Sequence, residues 1–112
     1  MKISGIIQDT AAVMQIEGSL SSEEKLTFEK EIQKIFDKKL NLVIDLSNVN
    51  FIDSTTLGTI MKYHAQFRKI KKYLVLACLN KQTFDLFQLT GIARQIKIFD
   101  SLQGAQDFIR GL

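Results

Sequence analysis

Asp53 is followed by three consecutive hydroxyls, Ser54, Thr55 and Thr56, and then by Leu57-Gly58. A serine that opens a helix aims its oxygen at free backbone amides, here those of Thr56 or Leu57, and those amides together with the helix dipole also suit a phosphate. A phosphoryl group on Ser54 would gain these donors and meet Asp53, a like charge one residue away, so its addition changes the local field. Two uses are therefore open at this position, an ordinary N-cap and a modification site. Asp100-Ser101 repeats the dipeptide at another expected helix start and suggests capping alone. Ser54 differs in its setting, because it follows a central-looking strand through a loop and has two further hydroxyls behind it.

Other arrangements for chemistry are sparse. His64, the one histidine, falls on the apolar stripe of a helix, as expected of a hydrogen-bonded core histidine. Cys78 ends an apolar strand and reads as a small buried hydrophobe. One His and one Cys far apart cannot make a four-ligand zinc set, and no glycine-rich phosphate loop is present. No base lies near Ser54 in sequence, so no catalytic residue, metal or cofactor is expected, and the chain is not expected to be an enzyme. Asp45 stands alone in an apolar run. It lacks the companion acids of a phospho-acceptor aspartate and is expected to cap loop amides at a strand end.

Positioning these residues takes alternating strands and helices. Ile3 to Ile7 and Val13 to Glu17 read as a hairpin turning at Gln8-Asp9-Thr10 and closed by Gly18. Ser21 and Glu24 form a capping box ahead of Phe28, Ile32, Ile35 and Phe36 at helical spacing. Leu42 to Leu46 is a short apolar strand that suits burial on both faces. Leu57, Ile60, Met61, His64 and Phe67 then predict a helix over about residues 55–70. Tyr73 to Cys78 repeats the buried-strand pattern, and Phe84 to Leu89 is a helix stopped near Gly91. Ile96 to Phe99 is a strand, and Asp100-Ser101 opens a last helix with Leu102, Ala105, Ile109 and Leu112 on its apolar face. The expected order is β-β-α-β-α-β-α-β-α: an α/β fold with one mixed sheet of four to five strands and about four packed helices.

The chain of 112 residues has room for a single domain, 1–112, and is long enough to bury a core without disulfide or metal. Its lone cysteine, the lack of an apolar run of membrane-spanning length and the absence of a secretory signal at the start lead to the expectation of a cytoplasmic protein with no membrane partner. The formal charge of +3 is unevenly placed: residues 54–84 hold six basic residues and no acid. Arg68 to Lys72 suit the negative end of a helix dipole. The cluster lacks interleaved glycines or aromatic platforms, so direct nucleic-acid binding is not expected, and a docking face for an acidic protein is the more modest inference.

Leu42-Val43-Ile44-Asp45-Leu46, the run Phe51-Ile52-Asp53-Ser54-Thr55-Thr56-Leu57-Gly58 and Leu89-Thr90-Gly91-Ile92 resemble the three signatures of the STAS domain in its free-standing bacterial form, the anti-sigma factor antagonist. Glu17-Gly18-Ser19-Leu20 and Phe99-Asp100-Ser101-Leu102 are also similar, and the likeness runs from about Val13 to Ile109. The resemblance implies a STAS-like fold and regulation of transcription by partner switching. The antagonist binds an anti-sigma factor serine kinase, phosphorylation of the serine after the aspartate breaks the complex, and a PP2C-type phosphatase restores it. By position the phosphoacceptor is Ser54, with Thr55 and Thr56 as secondary acceptors and Asp53, Ser54, Thr55, Thr56, Leu57 and Gly58 as the partner-binding stretch. The family usually has glycine where this chain has Thr56, so a side chain is expected to add bulk where a kinase or partner backbone must approach. The alternative is a STAS scaffold or nucleotide-sensing module that does not switch.

Overall fold

Leu42-Val43-Ile44 and Leu74-Val75-Leu76 put apolar side chains on both sides of their strands, so each strand must be covered on both faces. The computed structural model, which describes residues 2–8 and 11–112, achieves this with a five-stranded sheet in the order β1-β2-β3-β4-β5. β1 (Lys2–Gln8) pairs antiparallel with β2 (Ala11–Leu20). β3 (Asn41–Ile52), β4 (Leu74–Ala77) and β5 (Ile98–Phe99) then follow in parallel. Of the expected turn Gln8-Asp9-Thr10, Asp9 and Thr10 lie outside the described residues.

Each parallel strand is added on the same side of the last, so right-handed crossovers place α1 (Lys25–Asp37), α2 (Ser54–Lys69) and α3 (Lys81–Leu89) on one face. There Phe28, Ile60, Phe67 and Phe87 meet the inward side chains of the strands, Met14, Ile16, Leu42, Ile44, Leu74 and Leu76. α4 (Leu102–Arg110) follows the last strand and covers the opposite face, where Ala105 and Ile109 pack on Val13, Val43 and Val75. The period-two side-chain alternation thus divides each central strand between a large core and a smaller one.

The expected element order is the one found, and the departures have local causes. Gly18 does not close β2: at φ +97 it sits at an irregularity in the β2–β3 register, and the strand continues to Leu20. β3 runs six residues past Leu46. Ser47-Asn48-Val49-Asn50 has the composition of a loop, yet Glu17 to Leu20 of β2 pair with it as far as Ile52, while β4 stops at Asp45. The expected Ser21 capping box is replaced. Ser21 makes no side-chain cap, a 3-10 turn (Ser22–Glu24) precedes α1, and the Ser22 amide donates to the Asp53 carboxylate at 2.7 Å. The Glu24 amide, the donor that a Ser21 cap would take, goes to the Ser21 carbonyl at 2.9 Å instead. α3 starts earlier than its apolar residues suggest, because Asn80 caps it by accepting from the Thr83 amide at 2.8 Å. Gly91, at φ +80, is the left-handed residue just beyond its end. Tyr73 and Cys78 fall outside β4, with Cys78 in the left-handed region at φ 64, and β5 is reduced to Ile98–Phe99. Leu112 lies beyond α4 and is 62% exposed, so it is not part of that helix's buried face.

Candidate functional site

The β2–β3 ribbon that projects past β4 carries the chain to the start of α2. Its end is pinned twice: the Asp53 amide donates to the Leu20 carbonyl at 3.1 Å, and Asn80 Nδ2 donates to the Val49 carbonyl at 3.1 Å. The hydroxyl cluster therefore sits at the carboxyl end of a central strand, where parallel sheets present their ligand-facing loops.

Ser54 does not cap α2. The cap is Asp53, whose Oδ1 accepts from the Thr56 amide at 2.8 Å while Oδ2 takes the Ser22 amide. One carboxylate thus ties the first turn of α2 to the chain entering α1. The Thr56 amide holds the Asp53 carboxyl below its ordinary range despite some desolvation, with the Thr56 side chain and the Ser22 and Thr55 amides adding to the effect. The folded value lies below the unfolded one, so this cap contributes in full above the ordinary carboxylate range and is lost as pH falls through the lowered value. Asp53→Asn keeps a capping oxygen, and acid titration of the melting temperature should show a shallower acid limb for it than for the parent.

Ser54 is therefore left at the first position of the helix, exposed, with its hydroxyl free of any hydrogen bond among the described residues. Thr55 beside it is exposed too. Thr56 and Leu57 are not: they are 2% and 4% exposed. The Thr56 hydroxyl is occupied, donating to the Leu20 carbonyl at 3.1 Å. Its side chain points into the fold, so the expected obstruction of an approaching partner does not arise. Thr56→Gly should lower unfolding free energy by about 2 kcal/mol, roughly half from the lost hydrogen bond and the rest from the lost burial of the methyl group and the lower helix propensity of glycine. Urea unfolding checks this value, and modification at Ser54 should be no faster in that variant. Gly58 is exposed with open space where a Cβ would project. The accessible surface is thus Ser54, Thr55 and Gly58 with the half-buried Asp53, next to the exposed Ser22 and Glu23. Phe51, 52% exposed near the end of β3, is an apolar contact that the sequence did not single out.

A model of the STAS domain family matches residues 2–105. The chain belongs to the STAS domain family. The STAS chain is 35% identical over 71 residues to the anti-sigma-B factor antagonist of Listeria monocytogenes, which is 62% of each sequence. The aligned region therefore spans under two thirds of that relative. Among solved structures, the protein TM1081 from Thermotoga maritima superposes with a TM-score of 0.89 at 23% identity, covering 96% of this chain and 94% of that one. The antagonist SpoIIAA in its unphosphorylated form gives 0.79 at 16% identity, covering 99% and 100%. The phosphorylated form, from Bacillus, gives 0.75 at 13%, covering 96% and 99%.

The remaining expected positions lie away from the STAS hydroxyl cluster. Asp45, 5% exposed, lies inside β3 rather than at the expected strand end; it accepts from the Ser47 amide of the same strand at 3.0 Å and from Gln15 Nε2 of β2 at 3.2 Å. Cys78 is half-buried, and burial, with Asp45 nearby, pushes its thiol up and away from reactivity. Ser101 is a plain cap, accepting from the Gly104 amide at 3.0 Å. Both His64 ring nitrogens are buried and lie next to the backbone of Gln95 and Leu74, without a hydrogen bond of ordinary geometry, and burial holds the imidazole below its ordinary range. Arg68 lies fourteen residues along α2 from Ser54, about 21 Å at the usual helical rise, so the basic cluster and the hydroxyl cluster are separate surfaces. No helix among the described residues is long and apolar enough to cross a membrane.

Proposed function

We propose that this STAS domain is an anti-sigma factor antagonist that binds an anti-sigma factor serine kinase through the surface around Ser54 and is released when Ser54 is phosphorylated. The observation that carries this reading is the division of labour at the start of α2. Asp53 does the capping, which leaves the Ser54 hydroxyl exposed and unbonded. In the proposed reaction Ser54 Oγ attacks the γ-phosphorus of ATP held by the kinase. The new O–P bond forms as the bond to the β,γ-bridging oxygen breaks, ADP leaves, and the hydroxyl proton passes to a base on the kinase. A PP2C-type phosphatase would reverse the modification by hydrolysis. The role is that of a regulated binding module in the cytoplasm rather than of an enzyme.

The product carries about two negative charges at a helix start. That position suits an anion with respect to α2 itself, so the modified domain stays folded. The cost falls on the complex, where the new charge faces a partner surface with Asp53 already beside it. Incubation with the kinase and ATP, followed by mass-spectrometric mapping, should place the phosphate on Ser54, with Thr55 as the secondary acceptor. Label confined to residues outside this pair rejects the proposal.

A further inference from the structure

β5 pairs only with Leu76 and Ala77, so the first half of β4 has no strand neighbour on that edge. A cavity of about 370 Å³ fills the gap, between the last turns of α2, the start of β4 and the Gln95 to Lys97 segment. Its inner wall is the unpaired edge of β4 at Leu74 and Val75, whose side chains are buried on opposite faces of the sheet, and the exposed apolar surface beside it is the Tyr73 ring, held edge-on by Phe108 at 5.1 Å. Its mouth carries Arg68, Lys71, Lys72 and Lys97. No acidic residue lines it, and among the described residues none of these four cations is in an ion pair. Lys97 only rests over the Phe108 ring, 5.2 Å from its centre.

The end of α2 does not neutralise this charge. Its Phe67 and Arg68 carbonyls are taken by the Ile70, Lys71 and Lys72 amides as the chain turns back, through Lys71 at φ 61. His64 lines the same cavity from α2, but both its nitrogens are buried away from the open space, next to the backbone of Gln95 and Leu74. Four cations with no acid among them, around a cavity edged by an exposed aromatic ring, suit an anion with a flat apolar body.

We propose that this cavity binds a small aromatic phosphomonoester, its phosphate held by Arg68, Lys72 and Lys97 and its ring against Tyr73. The site is independent of the switch, because it lies at the opposite end of α2. Phenyl phosphate and inorganic phosphate are the probes, titrated into the 15N-labelled domain by NMR. Phenyl phosphate should shift the Leu74, Val75, Gln95 and Lys97 amides and the His64 ring, and leave Ser54 and Thr55 in place. It should bind at least about tenfold more tightly than phosphate, since only it covers the exposed Tyr73 ring. The double variant Arg68→Gln, Lys72→Gln alters side chains outside the core and should keep the parent's spectrum while weakening phenyl phosphate about tenfold or more. Equal affinity for the two probes, unchanged affinity in the variant, or shifts confined to other regions would each overturn the proposal.

Discussion

Under the proposed switch, Ser54→Asp should lower the affinity of the domain for an anti-sigma factor kinase by about ten- to several-hundredfold, while Ser54→Ala leaves it within about threefold. The asymmetry follows from the start of α2. Ser54 makes no hydrogen bond among the described residues, so alanine removes nothing that the folded domain uses. Aspartate adds one charge next to Asp53, whose carboxylate is already held ionised by the Thr56 amide. At the first helical position that charge is mildly favourable to the isolated domain, so both variants should melt close to the parent. Any loss of binding then belongs to the interface. Isothermal titration against the purified kinase, with melting curves alongside, separates the two effects. Equal affinity for both variants would remove the switch and leave the scaffold role.

The fold was legible because its signals are local and redundant. Leu42 to Leu46 and Tyr73 to Cys78 announce buried strands, and the stripe from Leu57 to Phe67 announces α2. The errors fall where a partner distant in sequence decides the outcome. Asn48 and Asn50 disfavour a strand, but pairing with Glu17 to Leu20 extends β3 through them. Ser21 and Glu24 have the spacing of a capping box, yet the Ser21 hydroxyl makes no cap, and the entry to α1 is held instead by Asp53, which takes the Ser22 amide from 31 residues away. The same long-range geometry corrected the site. Sequence spacing located the start of α2 but not which residue caps it, nor that Thr56 turns inward onto the Leu20 carbonyl, 36 residues earlier. The cavity under Arg68 and Lys97 was invisible for a related reason. It exists because β5 is two residues long, and a strand's length is set by what lies beside it.

Phe67→Ala should remove about 3–5 kcal/mol of stability, a large share of what a domain of this size possesses. Phe67 is completely buried near the end of α2 and meets Phe36 of α1 edge-on, with ring centres 5.3 Å apart. Truncation loses the transfer energy of the ring, leaves a void between two helices, and forfeits an aromatic pair worth about 0.5–1.5 kcal/mol. Collapse around the void is limited, because both helices rest on the strands through other closed contacts, Ile32 and Ile60 among them. The melting temperature should fall by roughly 12–25 °C, on the basis of about 4–5 °C per kcal/mol for a chain near 100 residues. Leu89→Ala is the control for hydrophobicity without burial: Leu89 is 87% exposed, and its loss should stay within about 0.5 kcal/mol. If the two variants melt together, α2 is not anchored at Phe67. The rigid platform that holds Ser54 outward at one end of that helix and His64 over the cavity towards the other would then need another foundation.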